Sequence, residues 1–256
     1  MQTSEPRLVG LGTEMLARAG VATPRSDAEA LLAHATNGAS SEVEEAVMNL
    51  YARRAEREPL AYIVGTQSFC GLELMIDRRV LVPTEARTGT LVHTAMDLPR
   101  EARVHEVGTG SGAVALAVKR RRPDLAVTAS DISTDAVAVA RENARRLGLD
   151  VTVTEADGLP AGSFDLVLAN LPYTDDAQRT QTLPPEETRF QPGVALWAGD
   201  HSLAAVIALI RQARHGTLLA LEHAPHHTRE MHRLLQDAHT LRDALGDQRV
   251  TMGTAR

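Results

Sequence analysis

The chain has 256 residues, 43% of them hydrophobic, with 27 Lys+Arg against 33 Asp+Glu for a formal charge of −6. That composition excludes a disordered chain and argues against broad electrostatic capture of nucleic acid, so no direct nucleic-acid binding is expected. A single cysteine, Cys70, excludes an intrachain disulfide framework; no signal-peptide pattern and no run of roughly 18 apolar residues is present, so the expected setting is cytoplasmic with no membrane partner.

Residues 1–58 read as a helical module. Leu8, Leu11 and Met15 recur at helical spacing, as do Ala28, Leu31, Leu32 and Ala35, and then Val43, Val47 and Leu50. Ser26 with Glu29 and Ser41 with Glu44 have capping-box spacing and are expected to start helices. Residues 59–88 change character: Ala61–Gly65 and Leu72–Ile76 suggest two short strands joined through Phe69-Cys70-Gly71, a hairpin connector.

Residues 89–256 carry an alternating pattern. Strands are expected at Arg103–Val107, Ala126–Ser130, Val151–Glu155, Asp165–Ala169 and Thr217–Glu222. Helices are expected at Ala113–Arg121, Thr134–Leu147, Ser202–Arg214 and Thr228–Ala238. The basic run Lys119-Arg120-Arg121-Arg122 closes the first of these helices, where cations complement the helix dipole. Such alternation implies an α/β domain, a doubly wound parallel sheet covered on both faces.

The first strand runs into Glu106-Val107-Gly108-Thr109-Gly110-Ser111-Gly112 and then a helix. Glycine has no Cβ, so such a turn lets the backbone approach a ligand closely. Asp131 ends the second strand about 20 residues on, where a carboxylate can bind ribose hydroxyls. The spacing G-x-G-x-G differs from the G-x-G-x-x-G of dinucleotide enzymes, and no Walker-type Lys-Ser or Lys-Thr follows. S-adenosylmethionine (AdoMet) has no phosphate but carries an ammonium and a sulfonium, which makes the Glu106 carboxylate electrostatically sensible. Asp157-Gly158 follows the third strand at the sheet's carboxyl edge, where an acidic side chain can accept the adenine amine, although a plain turn is the alternative. The candidate cofactor set is Glu106, Gly108, Thr109, Gly110, Ser111, Gly112, Asp131, Ile132, Asp157, Gly158 and Asn170.

Asn170-Leu171-Pro172-Tyr173 follows the fourth strand. A planar amide or aromatic amine is a poor nucleophile because its lone pair is delocalised. Two acceptors holding both N–H groups, the Asn170 side-chain oxygen and the Leu171 carbonyl, orient that lone pair toward a methyl carbon, and Tyr173 stacks on the planar group. That is catalysis by positioning, and it needs no metal. The alternative is a turn whose Asn and Pro serve the backbone. Asn170 and Tyr173 are the catalytic candidates; Asn170, Leu171, Pro172 and Tyr173 are the substrate-binding ones.

With these motifs in order, the chain closely resembles the release-factor glutamine N5-methyltransferases, the PrmC/HemK family. The resemblance runs from Glu58–Gly65 through Glu106–Gly112, the Ala-Arg-Glu-Asn-Ala run ending at Ala144, Asn170–Tyr173, Arg189–Pro192, Leu221-Glu222-His223 and Arg249–Gly253. It implies an N-terminal helical substrate-recognition domain, a hairpin connector and a Rossmann-like AdoMet-dependent methyltransferase domain. It also implies methylation of the glutamine in the Gly-Gly-Gln motif of peptide-chain release factors. The sequence departs from the family at Leu171, where the family has proline, at Thr84–Thr88 after the hairpin, at Gln191 and at Gly158. A divergent enzyme methylating a small-molecule amide or amine is the alternative reading; an adenine methyltransferase and a silent AdoMet-binding module are weaker ones.

The remaining candidates carry bland expectations. His223, His226, His227 and His232 lack the spaced ligands of a metal site and read as a solvated helix start. Cys70 lacks a basic neighbour in sequence and reads as structural. Trp197 reads as packing.

Overall fold

The computed structural model describes residues 5–37, 43–173, 184–196 and 202–256. They fall into two compact units, Met1–Thr66 with Leu183–Phe190, and Gln67–Thr182 with Gln191–Arg256. Ser41 and Trp197 lie outside the described residues.

The first unit contains helices α1 (Glu5–Arg18), α2 (Pro24–Asn37), α3 (Val43–Ala55), α4 (Leu60–Val64) and α8 (Pro185–Phe190). Leu8, Ala28, Leu31, Leu32, Ala35 and Val47 sit in its core, as the helical spacing predicts, and Leu16 and Tyr51 join them; Met15, Val43 and Leu50 are partly buried, and Leu11 is exposed. The Tyr51 ring lies against Gly12, where a Cβ would collide with it, and its hydroxyl donates to the Ala28 carbonyl at 3.1 Å.

Two local expectations fail here. Helix α2 starts at Pro24, ahead of the expected Ser26 cap: proline is preset for a first helical turn, and the Thr23 hydroxyl donates to Asp27 at 2.7 Å. Residues Ala61–Gly65 form no strand. Pro59 opens helix α4 instead, and Gly65, at φ 79°, closes it with its N–H on the Ala61 carbonyl. A five-residue apolar run has no period that separates strand from helix.

Charge binds this unit together. Arg54 donates to Asp27 at 2.8 Å and to Glu186 of α8 at 3.0 Å, and Arg57 grips Glu186 with two bonds of 2.7 Å. The Arg54 and Asp27 side chains are almost wholly buried.

The second unit begins with the hairpin β1 (Thr66–Phe69) and β2 (Leu72–Met75), then α5 (Glu85–Thr94), which the sequence pattern did not show. Strands β3 (Arg103–Val107), β4 (Ala126–Asp131), β5 (Thr152–Glu155), β6 (Leu166–Ala169) and β7 (Leu218–Glu222) alternate with helices α6 (Ala113–Arg121), α7 (Thr134–Leu147), α9 (Gly193–Leu196) and α10 (Ala204–Gln212). Helix α11 (Thr228–Leu234) ends earlier than expected, because the chain turns into β8 (Gln236–Arg242) and β9 (Gln248–Thr254). The sheet order is β5-β4-β3-β6-β7-β9-β8; β3 to β7 pair in parallel and β9 joins β7 antiparallel, so the sheet is mixed rather than wholly parallel.

This order sets the site. Strand β3 has β4 on one side and β6 on the other, which makes the gap beyond the carboxyl ends of β3 and β6 the topological switch point where open α/β sheets bind ligands. Val107 stands in register with Ser130 and with Ala169, and Ala169 with Leu221. The segments beginning at Gly108, Asp131, Asn170 and Glu222 therefore leave the sheet along one edge. Asn143 of α7 braces it from behind: its carboxamide accepts from the Met75 N–H at 2.7 Å and donates to the carbonyls of Met75 and Ser111 at 3.0 and 2.9 Å. One buried side chain thus ties the hairpin to the glycine loop.

Candidate active site

A cavity of about 440 Å³ opens at this edge within the second unit. Its wall includes Glu106, Gly108, Thr109, Gly110, Ser111, Asp131, Ile132, Asp157, Gly158, Asn170, Leu171 and Pro172, and it is closed by Ala204, Ala208, Leu209 and Gln212 of α10. Two candidate residues are off the wall. Gly112 sits behind it as the left-handed entry to α6, and Tyr173 directs its hydroxyl elsewhere.

The loop after β3 is forced by its chemistry. Gly108 has φ 71°, a left-handed conformation that favours glycine, and a Cβ there would stand 2.7 Å from the Leu171 side chain, which would have to shift. Asp131 shapes the loop as well, accepting from the Gly110 N–H at 2.8 Å through Oδ2 and from the Ser133 N–H at 2.9 Å through Oδ1. Each oxygen keeps a further lone pair for a ligand. Glu106 lies beneath, buried, with Oε2 taking the Thr109 hydroxyl at 2.6 Å and the Ala115 N–H at 2.9 Å. Burial pushes its carboxyl up to about 8, against the pull of those two donors.

The departure at Gly158 has a structural answer. At φ 81° the space beside it is filled by the Gln212 side chain, whose Oε1 accepts the Leu159 N–H at 2.7 Å. A side chain at 158 would be strained at that φ and would push the Gln212 carboxamide off the Leu159 N–H.

Asn170 donates through Nδ2 to the Thr88 hydroxyl at 3.4 Å, and the Tyr173 hydroxyl donates to Glu222 at 3.5 Å. Glu222, 2% exposed at the end of β7, is a buried carboxylate behind the cavity to which the sequence reading assigned no role. Its Oε2 has no hydrogen-bond partner among the described residues. Burial raises its carboxyl to about 7, while Thr88, Arg249, Arg87 and Tyr173 favour the charged form. Its signal in the sequence is a lone carboxylate closing an apolar strand, visible only as part of the Leu221-Glu222-His223 resemblance.

The histidine expectation needs correction. His223 and His227 are buried, because the chain after β7 folds back through a short turn at Pro225–His227. His223 engages the Ala224 carbonyl and the Thr251 hydroxyl, at 2.8 and 2.7 Å, and His227 meets the Ser202 hydroxyl at 2.9 Å. Cys70 is a buried free thiol raised by burial and by nearby Glu85, the opposite of an activated cysteine. No helix among the described residues is long and apolar enough to cross a membrane.

Comparison with known proteins agrees with this architecture. Residues 86–186 match the methyltransferase small domain family, and residues 8–65 match the PrmC N-terminal domain. Among solved structures, the human Mettl16 catalytic domain in complex with an RNA hairpin superposes with a TM-score of 0.58 at 16% identity, covering 80% of this chain and 81% of that one. A likeness at that identity speaks for the fold alone. The chain is 36% identical to the release factor glutamine methyltransferase of Deinococcus radiodurans, covering 80% of this chain and 79% of the relative. It is 32% identical to that of Escherichia coli, covering 90% and 92%. Full-length similarity of this kind, added to a glycine loop and an Asn-x-Pro-Tyr segment meeting at one switch point, makes the chain a member of the release factor glutamine methyltransferase family.

Proposed function

We propose that the protein uses AdoMet to methylate the side-chain nitrogen of the glutamine in the Gly-Gly-Gln motif of a peptide-chain release factor. The observation that carries this reading is the adjacency of two segments, Gly108 against Leu171, with Asn170 lining the same cavity.

The residues present fit the cofactor. Asp131 and Asp157 offer carboxylates to hydroxyl and amine donors; the glycine loop admits a ligand to its backbone; Ala204, Ala208 and Leu209 offer an apolar wall to a flat ring. When bound, AdoMet supplies an electrophilic methyl carbon on a sulfonium. The protein's own part is positional. The Asn170 Oδ1 and the Leu171 carbonyl hold the two N–H groups of the carboxamide, which fixes the direction of its nitrogen lone pair, and Pro172, backed by Tyr173 behind the wall, confines the amide plane. Leu171 in place of the family's proline leaves that carbonyl in position to accept. The helical first unit is read as the second contact with the release factor, whose remote binding energy serves to hold the glutamine in place. A translation factor as substrate sets the reaction in the cytoplasm.

The test is transfer of label from AdoMet to an intact release factor. Label on the protein that vanishes when the motif glutamine is replaced supports the reading; label that persists after that replacement refutes it.

A further inference from the structure

The Asn170 side chain and the Tyr173 hydroxyl both lead toward Glu222. The Asn170 carboxamide meets the Thr88 hydroxyl at 3.4 Å, and the Thr88 hydroxyl lies beside the Glu222 carboxylate, near enough to favour its charge without closing a full hydrogen bond. The Tyr173 hydroxyl reaches the same carboxylate at 3.5 Å. Thr88 and Glu222 are both buried, and Glu222 Oε2 is a buried acceptor with no hydrogen-bond partner among the described residues. Leaving such an atom unmatched is costly, and structures that retain one have a reason to.

The direction of these bonds follows from what each group can do. An ionised carboxylate only accepts, so its charge turns the neighbouring Thr88 hydroxyl proton toward it. The Thr88 oxygen then has only lone pairs for Asn170 and receives the amide N–H. A carboxamide with its nitrogen so engaged turns its oxygen the other way.

We propose that Thr88 and Glu222 are positioning residues for methyl transfer: they fix which face of the Asn170 carboxamide meets the substrate, and Glu222 holds the Tyr173 ring in place by its hydroxyl. The inference rests on the role given to Asn170 above. The contacts are long as they stand, as catalytic hydrogen bonds often are before substrate binds. The charged groups that act on Glu222 are Arg249 of β9 and Arg87 of α5, while the Tyr173 hydroxyl donates to it and neighbouring His223 spends its ring on Ala224 and Thr251. Because burial holds the Glu222 carboxyl near 7, the chain of bonds loses its direction as pH falls below that value.

The experiment measures turnover on an intact release factor, with AdoMet affinity measured separately. Thr88→Val keeps the shape and removes the hydroxyl. It should lower kcat and kcat/KM together by about 10- to 100-fold, with AdoMet affinity within about twofold, and Thr88→Ser should restore most of the loss. In the unaltered protein kcat should rise with pH through about 7, and Glu222→Gln, also slowed, should flatten that rise. Normal kcat in both Thr88→Val and Glu222→Gln overturns the proposal, as does a wild-type profile that is flat across that range, which needs no variant to fold. Asn170→Ala separates the two levels. If it is slow while Thr88→Val and Glu222→Gln are normal, this proposal alone fails; if Asn170→Ala is itself normal, the reading beneath it fails.

Discussion

The Gly110 N–H donates to the Asp131 carboxylate across 2.8 Å, so the residue that closes β4 also holds the loop that leaves β3. Asp131 has two tasks, shaping the loop and presenting acceptors to the cavity. Asp131→Ala removes both and should weaken AdoMet binding by about 1–3 kcal/mol, the range for losing a charged hydrogen-bond partner. Calorimetry on the folded variant checks this, and unchanged affinity would remove Asp131 from the cofactor site.

Asn170→Ala should reduce turnover at least about 10²-fold, the scale expected when a reacting group loses its alignment. AdoMet affinity should change far less, since the cavity draws on many other residues. Single-turnover rates with saturating cofactor separate the two effects.

Glu106 predicts a pH dependence of stability. Its carboxyl is raised to about 8 in the fold from an ordinary value of 4.5, so the folded state binds the proton more tightly than the unfolded one. The stabilisation this provides is fully present below about 4.5 and is lost as pH rises toward 8, at up to about 1.4 kcal/mol per pH unit. Glu222, raised to about 7, acts in the same direction. Denaturant melts from pH 5 to 8 should show stability from these groups falling with pH, and Glu106→Gln should reduce the slope. A slope unchanged by that substitution would contradict the burial argument.

In the helical unit the Arg54–Asp27 pair is buried at 2.8 Å, and Arg54 also serves Glu186. Asp27→Ala leaves a buried guanidinium with one carboxylate instead of two and should cost about 3–5 kcal/mol, the usual result of breaking a buried pair from one side. Chemical denaturation followed by circular dichroism reads this directly. A loss below about 1 kcal/mol would mean that Glu186 alone satisfies Arg54.

What the sequence revealed follows from the range of each signal. Helices α6 and α7 were legible to the residue, since their apolar periods are long and their ends carry glycine or a serine cap, and β3 was legible because it runs straight into the glycine loop. Ala61–Gly65 was misread because so short a run has no distinguishable period, and β8 was hidden because it continues an amphipathic helix without a break in composition. The glycine loop and Asn170–Tyr173 stood out as local patterns. The Thr88–Asn170–Glu222 cluster did not, because its members are 82 and 52 positions apart in sequence and meet only through sheet order. The role of Asn143 in joining the hairpin to the loop was equally beyond reach, although its motif was visible.

The central claim is that this chain methylates the glutamine of a release factor and relies on more than that glutamine for recognition. The most direct measurement is mass spectrometry after incubating the enzyme and labelled AdoMet, side by side, with intact release factors, an isolated Gly-Gly-Gln peptide and small amides. The account predicts one added methyl on the motif glutamine of the intact factor, and much slower reaction of the peptide. Efficient methylation of a small amide, with no methyl on any intact release factor, would contradict it.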